Sequence, residues 1–205
     1  VTTTPILENI LIKVNFSSIL LVSNNLEMAI EYIITEGIKI DTEGSFSVPS
    51  RLFLSYINLI EEDEIEIELM AHESLQIKTN SGKTKIKGKN AEDFPLIPKI
   101  KEEINMHING GILKKSIEKT LFSSAEGNIR PTLAGIFVQI KDDDAIFAST
   151  DSFRLSEYKS KLPKKTENSF SQILPSKTAF EVKSIIKDDD EINIVSGENQ
   201  IGFFF

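Results

Sequence analysis

The sequence predicts an α+β chain built from two copies of one domain, each a set of antiparallel strands carrying one or two helices. Three observations predict it. Pro5, Leu7, Ile10, Ser23, Glu31, Tyr32, Pro49 and Ser50 return 126 positions later as Pro131, Leu133, Ile136, Ser149, Glu157, Tyr158, Pro175 and Ser176. An acidic turn follows each copy: Glu61-Glu62-Asp63-Glu64 runs into Ile65-Glu66-Ile67, and Asp188-Asp189-Asp190-Glu191 runs into Ile192-Asn193-Ile194. Between these landmarks the apolar residues alternate with a period of two, broken by stripes at helical spacing. The spacing exceeds the roughly 20 to 50 residues of stacked solenoid repeats and fits two compact domains.

Taken in order, Ile10 to Val14 and Ile19 to Ser23 read as apolar strands, and Ile65, Ile67 and Leu69 against Glu66 and Glu68 as a half-buried one. Leu75 and Ile77, then Lys83, Lys85 and Lys87, continue the alternation, with Asn80-Ser81-Gly82 supplying hairpin turn chemistry between them. Ser50 after Pro49 is an expected N-cap, and Phe53, Ile57 and Ile60 with Leu52, Tyr56 and Leu59 form an apolar helical stripe. Ser176 is its counterpart before Ala179, Val182 and Ile186. A further helix is expected from about Gly111 to Ser124, with Leu113, Ile117 and Leu121 inward and Lys114, Lys115 and Lys119 outward. It has no counterpart in the first copy. Pro95 to Glu103 breaks the pattern and sets the expected domains at 1–100 and 101–205. The first is expected to lack an opening strand and helix, the second a last strand, with both ends truncated.

Composition narrows the function. With 40% hydrophobic residues the chain can bury two modest cores and is expected to be soluble. Without cysteine it has no disulfide and no thiolate chemistry, which suits a reducing cytosol. Val1-Thr2-Thr3-Thr4 has no signal-peptide layout. A net charge of −8 opposes indiscriminate adhesion to nucleic acid and leaves room for a local basic face.

Gly82-Lys83-Thr84 resembles the end of a phosphate loop, but Ile77 stands where the motif needs glycine, and a strand is expected next. The runs Glu61 to Glu64, Asp142 to Asp144 and Asp188 to Glu191 could gather a divalent metal, yet each reads better as a solvated turn. His72 and His107 have no spaced ligand partners. No catalytic residue, metal or cofactor is expected. Lys114, Lys115 and Lys119 on one helix, and Lys177, Lys183 and Lys187 on another, are either a stripe for a phosphate backbone or ordinary solvated faces.

Several strings in order resemble the bacterial DNA polymerase III β subunit family, the replicative sliding clamps. Thr4-Pro5-Ile6-Leu7-Glu8-Asn9-Ile10-Leu11, Asn25-Leu26-Glu27, Val48-Pro49-Ser50-Arg51 and Ala91-Glu92-Asp93-Phe94-Pro95 are similar to segments of the family's first domain. Phe122-Ser123 to Gly135, Ser149 to Ser156 and Pro175-Ser176-Lys177 are similar to segments of its second. The resemblance implies a DNA clamp fold, with sheets outside and helices on the inner face of a homodimeric ring of three-domain chains around duplex DNA. It implies a processivity factor without chemistry of its own, cytoplasmic at the nucleoid. Its partners would be the polymerase III catalytic subunit, the clamp loader and other proteins bearing a clamp-binding motif. On that template Arg51 and the six helical lysines face DNA, and Leu133, Thr150, Ser152, Phe153, Arg154 and Leu155 form a partner-peptide cleft. Leu133 and Leu155 could equally fill the second core. Two departures stand out: the family's Gly-His pair is Ser152-Phe153 here, and an aromatic pair that some members carry near DNA is Pro131-Thr132. The rival readings are a β-rich protein-binding scaffold and a carboxylate-metal nuclease.

Overall fold

A computed structural model describes residues 5–70, 73–101, 104–127, 130–163, 165–166, 169–197 and 200–205. The chain divides into two compact units, Val1–Pro98 and Lys99–Phe205. No helix among the described residues is long and apolar enough to cross a membrane.

In unit 1 a 3₁₀ turn, Pro5–Glu8, leads into β1 (Asn9–Asn15), β2 (Ser18–Asn24), β3 (Ala29–Ile34), β4 (Gly44–Pro49) and α1 (Ser50–Ile57). Then follow β5 (Glu66–Met70), β6 (Ser74–Lys78), β7 (Lys83–Lys87), β8 (Lys89–Asn90) and a second 3₁₀ turn, Ala91–Asp93. The strands form two antiparallel sheets, ordered β3-β2-β1-β4-β8 and β5-β6-β7. The turns are local chemistry: Asn15 Oδ1 accepts the amides of Ser17 and Ser18, and the Thr79 amide donates to the Gly82 carbonyl to close the β6–β7 hairpin. Ile12, Phe46, Val48, Phe53, Leu75, Ile77 and Ile86 are buried together between sheets and helix.

Unit 2 opens with β9 (Ile104–Asn109) and α2 (Gly110–Thr120), which ends in a 3₁₀ turn, Leu121–Ser123. It continues through β10 (Gly135–Lys141), β11 (Asp144–Thr150), β12 (Leu155–Lys161), β13 (Phe170–Pro175), α3 (Ser176–Ile185), β14 (Glu191–Gly197) and β15 (Gln200–Phe204). Its sheets are β12-β11-β10-β13 and β15-β14-β9, and α2 and α3 pack side by side. Phe147, Phe170, Ile117, Ile136 and Ile140 anchor its larger core. Asn109 caps α2 by accepting the amides of Gly111 and Ile112. Gly110 lets the acidic turn approach: its amide donates to the Asp190 carbonyl at 2.7 Å, and a Cβ there would collide with the Lys187 carbonyl.

The duplication is geometric. β1, β2, β3, β4 and α1 each begin 126 positions before β10, β11, β12, β13 and α3. Leu11 pairs with Val22 as Phe137 pairs with Ala148, and Asn9 with Pro49 as Gly135 with Pro175. One turn is duplicated in full. Asn24 Oδ1 accepts the Leu26 amide and Asn25 Oδ1 accepts those of Glu27 and Met28. In unit 2 Thr150 Oγ1 accepts the Ser152 amide and Asp151 Oδ1 accepts those of Phe153 and Arg154. The pivots Leu26 and Ser152 carry φ of 71° and 79°.

Four expectations need correction. Pro49 and Pro175, with φ of −54° and −56°, hold the cap positions of α1 and α3 without a side-chain bond. The serines are engaged elsewhere: Ser50 Oγ donates to the Glu8 carbonyl at 2.7 Å, and Ser176 Oγ meets Ser124 Oγ at 2.9 Å. The α-helical part of α2 stops at Thr120, where its hydroxyl turns back to the Ser116 carbonyl. α1 ends at Ile57: Phe53, Tyr56 and Ile57, with Ile60 just beyond it, pack on the core, while Leu52 on the helix and Leu59 after it are exposed. Ile67 and Leu69 are 43% and 50% exposed, more than half-buried residues should be, and neither joins the buried clusters of unit 1.

Candidate docking recess and nucleic-acid face

The turn joining β11 to β12 is held by its own side chains. Asp151 accepts the amides of Phe153 at 2.9 Å and Arg154 at 2.7 Å, and its second oxygen meets the Arg154 guanidinium at 2.8 and 2.9 Å. The Arg154 amide, the Phe153 amide and then the Arg154 side chain hold the Asp151 carboxyl down at about 2, against an ordinary 3.8. Thr150 Oγ1 donates to the Arg154 carbonyl at 2.6 Å, and Arg130 Nη1 donates to Ser152 Oγ at 3.4 Å. The result is a stiff loop that presents Phe153 95% exposed and Leu155 75% exposed.

Beside this loop Thr132, Gly135, Phe137, Ala148, Ser149, Thr150 and Leu155 line a recess of about 120 Å³. Of the six cleft residues read from sequence, Thr150 and Leu155 line it, and Ser152, Phe153 and Arg154 lie on the adjoining turn. Leu133 is half-buried in the preceding turn, its carbonyl accepting the Ala125 amide. Leu155 does not fill the core. Sequence reasoning missed Thr132, Phe137 and Ala148; the usable signal was that Phe137, Thr132 and Ala148 take the places of Leu11, Ile6 and Val22 one repeat earlier, a change of size or polarity at all three.

The cations differ in exposure and in what lies beside them. On α2, Lys115 and Lys119 are exposed four residues apart, with Glu118 between them. Lys114 is engaged: its ammonium lies 3.5 Å from Asp188 Oδ1 and 3.5 Å from the Ile186 carbonyl. On α3, Lys177 is exposed and Lys183 stands 5.5 Å from the Phe180 ring centre, while Lys187 follows the helix in the acidic turn. Arg51 on α1 is exposed at the position that Lys177 takes on α3, one repeat later. α2 and α3 thus give unit 2 a mixed, modestly basic face.

The carboxylate runs are turns. Glu61 to Glu64 joins α1 to β5, Asp142 and Asp143 form the β10–β11 turn with Asp144 opening β11, and Asp188 to Asp190 joins α3 to β14. Among the described residues no group of three or more His, Cys, Asp or Glu is placed to hold a metal. His107 is exposed on β9, Lys83 opens a strand, and His72 lies outside the described residues.

Residues 1–98 match the N-terminal domain, and residues 107–205 the central domain, of the family described as DNA polymerase III beta subunit. A Staphylococcus epidermidis protein named beta sliding clamp is 30% identical over 211 residues, covering 98% of this chain and 55% of that protein. The crystal structure of the Bacillus subtilis DNA polymerase sliding clamp superposes with a TM-score of 0.93 at 26% identity, over 100% of this chain and 56% of that one. That of a putative DNA polymerase III beta subunit from Eubacterium rectale gives 0.93 at 28%, over the same shares. The chain spans about 55% of the length of the curated relatives it matches.

Proposed function

The chain belongs to the DNA polymerase III beta subunit family, and from that premise we propose that it is part of a DNA sliding clamp. In this reading a homodimeric ring encircles duplex DNA without reading its sequence and tethers the replicative polymerase during chromosomal replication. A clamp loader opens and places the ring, and the protein makes and breaks no bonds itself. It works in the cytoplasm at the nucleoid. The observation that carries the reading is the match of both units, in order, to successive domains of one family.

The division of labour follows from the side chains. Sliding needs contacts to phosphate and none to base edges. Lysines on exposed helix faces supply such contacts as flexible point charges and Arg51 as a planar fork of donors, and the net charge of −8 keeps the rest of the surface from adhering. Lys115, Lys119, Lys177 and Arg51 are the outward cations for this work; Lys183 and Lys187 stand nearby, and Lys114 is held back by Asp188. The polymerase III catalytic subunit, the loader and other motif-bearing partners dock by an apolar anchor beside Leu155, with Phe153 and Leu133 at its margins. Such grooves take most of their affinity from a few buried anchors.

The test is retention of the complete gene product that carries these 205 residues on nicked circular duplex, after loading with ATP and loader. Retention that is lost when the circle is cut supports a topological link. Retention indifferent to cutting, or loading unchanged by Arg51→Glu with Lys177→Glu, rejects the reading.

A further inference from the structure

Asn109-Gly110 is the one Asn-Gly step in the sequence, and it stands at the junction of β9 with α2. In an open chain this dipeptide is chemically labile. The nitrogen of the second residue, once deprotonated, attacks the asparagine side-chain carbonyl carbon, and glycine leaves that approach unhindered because it has no Cβ.

In the fold each party to that reaction is held. The nucleophile is the Gly110 nitrogen, and its hydrogen is donated to the Asp190 carbonyl at 2.7 Å. The electrophile is the Asn109 carboxamide, whose Oδ1 accepts the Gly111 amide at 3.1 Å and the Ile112 amide at 3.4 Å. Asn109 is extended, with ψ of 138°, and closing a ring between its Cγ and the Gly110 nitrogen requires a large rotation about that bond. Gly110 is buried against the Lys187 and Asp190 carbonyls without room even for a Cβ, so the rotation needs the acidic turn to lift away. The turn is fastened in three places. Asp190 Oδ2 accepts the Lys187 amide at 2.7 Å, the Asp188 carbonyl accepts the Gly111 amide at 3.0 Å, and the Asp188 carboxylate lies 3.5 Å from the Lys114 ammonium.

We infer that Asn109 is a latent deamidation site whose latch is the Asp188–Asp190 turn. While the turn is docked the amide persists; when it opens, Asn109 is converted to an acid. The step needs only water and solvent base. The Gly110 nitrogen loses its proton and bonds to Cγ, Nδ2 leaves as ammonia, and water opens the cyclic imide at either carbonyl to give aspartate or isoaspartate at position 109. Aspartate keeps an oxygen for the first amides of α2. Isoaspartate lengthens the main chain by a methylene where β9 enters α2 and displaces that cap. Opening of the turn is thereby recorded irreversibly at the start of the helix that bears Lys115 and Lys119. The step is independent of ring formation.

The test incubates the whole 205-residue chain at mildly alkaline pH and follows position 109 by peptide-mapping mass spectrometry, with a synthetic peptide of the sequence His107–Leu113 as the unrestrained reference. The folded chain is expected to lose the amide about a hundredfold or more slowly than the peptide. Asp190→Ala deprives the Lys187 amide of its acceptor and should speed the loss about threefold to tenfold, whereas Asp190→Asn, which keeps an oxygen there, should stay within about twofold of the parent. Hydrogen exchange in the Asp190→Ala chain should rise at the Gly110 amide and not at that of Ile117, which is fully buried in mid-helix, so that opening of the turn is told apart from loss of the fold. The inference is overturned if the folded chain deamidates as fast as the peptide, or if Asp190→Ala leaves the rate unchanged or raises exchange at both amides. It is equally overturned if Asp190→Asn, or Ile140→Ala in the core away from the turn, speeds the loss as much as Asp190→Ala.

Discussion

Lys114 Nζ stands 3.5 Å from Asp188 Oδ1, so the acidic turn after α3 already holds the first lysine of α2. Lys114 is about one-third exposed and Asp188 largely exposed, so the pair is worth little to stability, but it puts beside Lys114 a carboxylate that a phosphate has to displace. Lys115→Glu with Lys119→Glu is therefore expected to weaken DNA binding of the assembled protein more than Lys114→Glu does. The measurement is the slope of log affinity against log salt, which falls by about 0.9 for each phosphate contact removed. Asp188→Ala, by freeing Lys114, should steepen it.

The Asp151 carboxyl will titrate near 2, and NMR of that carboxyl measures it directly. The sign follows from the depressed value. Because the folded-state pKa lies below the ordinary 3.8, the turn's hydrogen bonds contribute fully above that pH and are lost as pH falls toward about 2. Partner-peptide affinity should consequently be flat with respect to Asp151 between pH 5 and 8; a midpoint within that range would contradict the turn described.

Leu155→Asp should leave circular dichroism unchanged while weakening partner-peptide binding by about tenfold or more. The exposure of Leu155, 75%, separates docking from folding at this residue. Normal affinity in the folded variant would remove Leu155 from the docking site.

Leu26 carries φ of 71°, a left-handed conformation that costs a branched side chain roughly 1–2 kcal/mol. It is also 67% exposed, so little packing is lost on truncation. Leu26→Gly should raise the urea midpoint, its unfolding free energy gaining up to about 1 kcal/mol after the added freedom of the unfolded chain is subtracted. Leu26→Val should lower it.

Ile140 is fully buried in the unit 2 core, and Ile140→Ala should cost about 2–5 kcal/mol in urea unfolding. Ile77→Ala should do the same to the core of unit 1, where Ile77 is also fully buried. If each unit carries its own core, the two substitutions will shift signals from different residues.

The repeat was legible because strand pairing demands a fixed register wherever one face is buried, and Pro49-Ser50 and Pro175-Ser176 mark the same strand-to-helix step. Turn chemistry was less legible. Asn24-Asn25 and Thr150-Asp151 share almost no identity, yet both pairs put an oxygen where the next amides need one, an equivalence of acceptors that residue matching does not see. The charge of Lys114 was visible and its partner was not, since Asp188 reaches it only after α2 and α3 pack. Leu52 and Leu59 misled for the converse reason: helical periodicity shows which residues share a face, but burial depends on what lies against that face.

Ser149 Oγ donates to the Thr120 carbonyl, and Ser156 Oγ donates to that of Lys119 at 2.5 Å. These are carbonyls at the end of α2, and the serines neighbour Thr150 and Leu155 on the strands that border the recess. A load applied at the recess thus has a path of one residue to the last turn of a helix. On the reading proposed above, a pull on a docked partner would reach the last turn of α2 through these two hydrogen bonds rather than through a loop.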